Sequence, residues 1–146
     1  MKIKTITMIF VLICVLFSVE TASAQMQIPK DTSGKIYQKE EVDKYIEYKG
    51  GMPSFNRLFI GRFNANIPNK SLFKIVMQFT VETNGEMTDL KVIDIETIGI
   101  EEALIEEYIK KAIYSFGTLK DWIPAVKDGK LVRCVVKLPI TMNSNR

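Results

Sequence analysis

The chain has no histidine, two cysteines, one tryptophan and five prolines in 146 residues. Without histidine a Ser-His or Cys-His pair is excluded, and a zinc site would have to be built from carboxylates and a thiol. Gly50-Gly51 is an isolated pair, short of the spacing that cradles phosphate. Charge of one sign is also scarce: 20 basic residues face 17 acidic ones, for a net +3. The basic residues are dispersed, which argues against a nucleic-acid stripe. Internal repeats and low-complexity tracts are missing. These absences predict a protein that is not an enzyme and has no cofactor, no metal and no small-molecule substrate.

The one long apolar run, Met8 to Phe17, follows Lys2 and Lys4 and precedes Ser18, Glu20 and Ala22-Ser23-Ala24. That order is a secretory signal over residues 1–24, with Gln25 first after cleavage. An uncleaved inner-membrane anchor is the alternative, but a span needs about 20 apolar residues and the polar ones arrive too soon. Export implies a periplasmic location. Losing Lys2, Lys4 and Glu20 lowers the net charge from +3 to +2. Cys14 sits inside the apolar run rather than at the cleavage boundary, which rules out lipidation. Cys134 then stands alone and no internal disulfide can form.

Residues 25–40 are polar and carry Pro29 and Gly34, so they read as a flexible leader before a domain over 41–142. Weak alternation over 42–48 suggests a peripheral first strand. Pro53-Ser54 should open a helix, with Ser54 as N-cap and Phe55, Leu58, Phe59 and Phe63 on one stripe; Gly61 inside it suggests a close neighbour. Phe73, Ile75, Met77, Phe79 and Val81 alternate as a half-buried strand does. Asn84-Gly85 then turns the chain into a strand over 87–95, whose conflicting apolar pattern a bulge would reconcile. A second helix over 101–116 turns Ile105, Ile109, Ala112, Ile113 and Phe116 inward, with Gly117 as its cap. Glu101, Glu102, Glu106 and Glu107, beside Lys110 and Lys111, form its wet face.

The closing segment has Trp122 and Pro124 before an Asp128-Gly129 turn, then Val132, Cys134, Val136, Leu138 and Ile140 at period two. Trp122 reads as a lid on the core and Pro124 as the fixed approach to the strand. Arg133, Val135, Lys137 and Pro139 point away from the core, and a proline this late requires a free flank. Such a flank is a template that another chain can extend. The fold class is therefore α+β, a small antiparallel sheet with two helices on one face.

Val42-Asp43-Lys44 before Gly50-Gly51, Ile67-Pro68, the strand 74–81 running into Asn84-Gly85-Glu86, Asp121-Trp122-Ile123-Pro124-Ala125, Asp128-Gly129-Lys130 and Leu138-Pro139-Ile140 occur in one order. Together they resemble the TonB C-terminal domain family, in its stand-alone form. The resemblance implies a periplasmic module that grips the N-terminal box peptide of a TonB-dependent outer-membrane transporter as an extra strand beside residues 130–142. Arg133, Val135, Lys137 and Pro139 would then be the peptide-binding edge, and Trp122, Pro124, Asp128 and Gly129 its structural support. The second reading is a homodimer that pairs through the same edge without a transporter.

Overall fold

The computed structural model describes residues 27–144. The expected signal segment lies outside the described residues. Among these residues two α-helices and seven strands follow in order: β1 (Ile36–Tyr37), β2 (Glu47–Tyr48), α1 (Gly51–Phe63), β3 (Leu72–Val81), β4 (Met87–Ile98), α2 (Glu102–Gly117), β5 (Trp122–Ile123), β6 (Ala125–Lys127) and β7 (Lys130–Asn143). The architecture is α+β. The main sheet runs β1-β7-β3-β4, with β6 also paired to β7, and β2 pairs with β5 in a small second sheet.

β3 and β7 form the spine of the sheet, in an antiparallel register that runs without a shift from Leu72↔Asn143 to Val81↔Cys134. Alternation explains it. Phe73, Ile75, Met77, Phe79 and Val81 are fully buried, and Val136 and Cys134 are buried across the ladder, so a slip of one residue would turn both apolar rows to water. The β3-β4 turn is a three-residue loop in which the Gly85 amide donates to the Glu82 carbonyl at 2.9 Å and Gly85 takes φ +83°. A Cβ on Gly85 would lie 2.5 Å from the Trp122 carbonyl oxygen, so this glycine serves both the turn and the docking of β5. β4 shows two register shifts, which resolve its conflicting pattern.

Both helices contribute to one aromatic core. Phe55, Phe59 and Phe63, spaced i, i+4, i+8, are buried from α1, and Tyr108, Ala112 and Phe116 from α2. Phe79 lies 4.9 Å from Trp122 and 5.1 Å from Phe116 between ring centroids, and Tyr48 meets Trp122 edge-on at 5.0 Å. Tyr108 keeps its polar tip satisfied by donating to the Asn66 carbonyl at 2.7 Å. Trp122 is buried, and among the described residues its Nε1 finds no acceptor.

Several expectations are corrected. The sheet is mixed, because β1 joins β7 in parallel. Residues expected to form a flexible leader supply that strand. Ser54 lies inside α1, whose N-cap is Gly50 at φ +84°. Leu58 and Ile113 are exposed rather than inward, because the buried stripes centre on the phenylalanines and on Tyr108. Gly61 has open space where its Cβ would be, so no close neighbour requires it. Gly117 is the last residue of α2 rather than its cap, and Asn64, at φ 36°, ends α1. Only Glu47–Tyr48 of the expected peripheral strand is regular, with Lys44 adding an isolated bridge to Val126.

Candidate functional site: the outer edge of the last strand

Two flanks of β7 have different fates. On one, β6 pairs with Lys130, Leu131 and Val132, and β3 takes over from Cys134 to Asn143. On the other, the Leu131 amide donates to the Pro29 carbonyl and the Leu131 carbonyl accepts from Asp31, each at 2.8 Å. β1 follows, with Ile36↔Arg133 and Tyr37↔Cys134, and pairing on this flank ends there. Main-chain groups alternate sides along a strand, so the odd-numbered residues that follow Leu131 turn theirs to this flank. The amides of Lys137 and Thr141, and the carbonyls of Lys137, Pro139 and Thr141, therefore face outward, and among the described residues no strand lies beside them. Pro139 fits because its missing donor falls on the open side, opposite Val76.

The residues singled out in the sequence divide along this edge. Lys137 and Pro139 lie on the open part. Val135 lies where β1 stops, and its carbonyl accepts the Tyr45 hydroxyl at 3.4 Å. Arg133 is not a free charge: its Nε donates to Glu82 Oε2 at 2.6 Å, Nη2 to Oε1 at 2.9 Å and Nη1 to the Gly34 carbonyl at 3.0 Å. These bonds tie the Gly34 segment to the β3-β4 hairpin through one guanidinium. Trp122 and Pro124 lie near the β3-β4 turn, with Pro124 Cδ 3.9 Å from the Cβ position of Gly85. Asp128 and Gly129 form the β6-β7 turn at φ 48° and 73°, and the Asp128 amide donates to Asp43 Oδ2 at 2.6 Å.

A groove borders the open edge. Asn56, Phe59 and Ile60 of α1 form one wall and residues 139–142 the other, and it continues past Asn64 to Ile67. Among the described residues no charged side chain lines it. Ile60, off the buried stripe and 59% exposed, forms its lip. Sequence reasoning missed Ile60, Tyr45 and Glu82. An apolar residue off the stripe of α1 was the one available sign for Ile60; the partners of Tyr45 and Glu82 lie 90 and 51 residues away.

The sheet's other edge is guarded. β4 carries two register shifts, Asp89 stands at φ 54°, and Asp94 Oδ1 already accepts the Ile95 amide at 2.9 Å. Bulges, charges and self-capped amides discourage strand addition. The open part of β7 carries only the charge of Lys137 and the missing donor of Pro139, with no register shift.

Hydrogen bonding to Arg133, opposed by partial burial and helped by Thr88, holds the Glu82 carboxyl below its ordinary 4.5. The native state thus favours the charged form more than the unfolded chain does. Its contribution is complete above pH 4.5 and is lost as the pH falls through the lowered value. Glu82→Gln is expected to flatten this limb: its urea midpoint should drop less between pH 6 and pH 3 than the parent's, and an equal drop would refute the pairing's role. Burial pushes the Cys134 thiol up to about 11 and the Tyr45 phenol up to about 12, so both are neutral near pH 7. Among the described residues no acidic or thiol cluster could hold a metal, and no helix is long and apolar enough to cross a membrane.

No protein-family model matches the chain, and no curated protein does. Among solved structures, the solution structure of the Helicobacter pylori TonB C-terminal domain (residues 179–285) is similar at 16% identity and a TM-score of 0.36, covering 66% of this chain and 87% of that one.

Proposed function

We propose that this chain is a periplasmic, TonB-like binding module that takes an extended peptide, the N-terminal box of a TonB-dependent outer-membrane transporter, as an added strand on β7. The observation that carries this reading is the unpaired flank after Val135, regular in register against β3 and bordered by an uncharged groove. The ordered motifs from Val42 to Ile140 point to the same class of partner. Main-chain hydrogen bonds supply affinity in this mode, and the groove beside Ile60 supplies side-chain preference. The role is binding, in support of transport, rather than catalysis.

Titration with synthetic transporter-box peptides tests it by hydrogen exchange. The amides of Lys137 and Thr141 should gain protection while those of β4 stay as they were. Protection confined to β4, or none at saturating peptide, would overturn the reading. Sedimentation over a concentration series checks the homodimer, since a tight dimer that protects the same two amides without peptide would favour that alternative.

A further inference from the structure

We propose that the leader is a removable occupant of the β7 edge, so that whether residues 29–37 are docked sets the length of edge open to a peptide. The consequence for peptides rests on the strand-addition reading, but release of the leader is measurable without any peptide. The leader makes the bonds an added strand would make, through Pro29 and Asp31 to Leu131 and through the parallel register of Ile36 and Tyr37. These are two short footholds. Between them residues 32–35 turn away, held by local bonds from the Ser33 amide and hydroxyl to Asp31 at 3.1 and 2.6 Å.

Little else holds the leader down. Tyr37 packs on the small cluster of Ala125, Val132 and Cys134, while Ile36 is 39% exposed. The Arg133 contact to the Gly34 carbonyl comes from a guanidinium already committed to Glu82, so this clasp can open without stranding a charge. On the opposite flank β3 is bonded along its whole length. Segments with few buried contacts and short bonded runs open locally at far lower free energy than core strands. Once the leader leaves, the free edge extends back from Lys137 to Leu131, interrupted only where the Val135 carbonyl accepts the Tyr45 hydroxyl.

Native-state hydrogen exchange on the full chain decides this. The leader-facing amides of Leu131 and Arg133 should exchange at least about a hundredfold faster than the β3-facing amides of Cys134 and Val136. Equal protection on the two flanks would overturn the proposal. A second arm uses Tyr37→Pro, which takes a donor from the parallel pair, and a synthetic peptide of the leader sequence 28–38. That peptide should bind the variant at least about tenfold more tightly than the unmodified chain, and equal affinity would also overturn it. If the variant loses its Trp122 fluorescence signature, exchange in the unmodified chain alone gives the answer. Failure of box peptides to protect Lys137 and Thr141 would sink the strand-addition reading while leaving these leader results intact.

Discussion

Replacing Thr141 with proline is expected to weaken peptide binding while leaving the domain folded. The Thr141 amide faces the open flank, and its cross-strand partner is Lys74 in a pair whose main-chain groups turn away from each other. The substitution therefore breaks no bond of the native ladder, and Pro139 already occupies an equivalent position two residues earlier. An incoming strand loses a donor, and the carbonyl it would have paired is left in a partly dry groove, for a cost of about 1–3 kcal/mol or roughly 5- to 150-fold in affinity. Stability should change by less than about 1 kcal/mol. Ile140→Pro is the contrast: its amide faces β3, the residue is buried, and a loss of about 3 kcal/mol or more is expected. Fluorescence anisotropy with a labelled box peptide and urea unfolding followed at Trp122 report the two quantities separately. Unchanged affinity in Thr141→Pro would end the case for strand addition at this edge.

The largest loss of stability is expected from Phe116→Ala. Phe116 is fully buried and meets Phe55, Phe59, Phe79 and Trp122 at centroid distances of 5.3, 6.1, 5.1 and 6.3 Å, so it joins both helices to the sheet. Removing such a ring costs about 3–5 kcal/mol, because the neighbours collapse only partly into the space. Domains of this size have about 5–15 kcal/mol in total. The urea midpoint should fall by a large fraction of its value, with the Trp122 emission shifting red. Ile113→Ala, three residues earlier on the exposed side of α2, should stay within about 0.5 kcal/mol. Similar midpoints for the two variants would contradict the placement of the core.

What the sequence made legible follows from where the information resides. Alternation in β3 and β7 was readable because each strand buries one face, and the Phe55, Phe59, Phe63 stripe because its spacing matches a helix. The open flank followed from Pro139, whose chemistry restricts its neighbours. The leader's pairing was not readable: it uses main-chain groups, which every residue has, and its partner strand lies at the other end of the domain. On α2 the expected inward positions Ala112 and Phe116 are buried, and only Ile113 gives way, to Tyr108, because both are apolar enough to face inward and the acceptor at Asn66 favours Tyr108. Arg133 looked free for the same reason that Glu82 was overlooked, since charge pairing across 51 residues leaves no local pattern.

The parallel pairing of β1 with β7 also bears on how the molecule assembles. It closes a loop around nearly the whole described chain, and such contacts form late because the intervening residues must first be ordered. Until β7 exists, residues 29–37 have no strand to pair with and wait in water. Their make-up of Lys30, Asp31, Ser33, Gly34 and Lys35 suits that interval, offering nascent chains little to clump around before the final strand arrives to receive them.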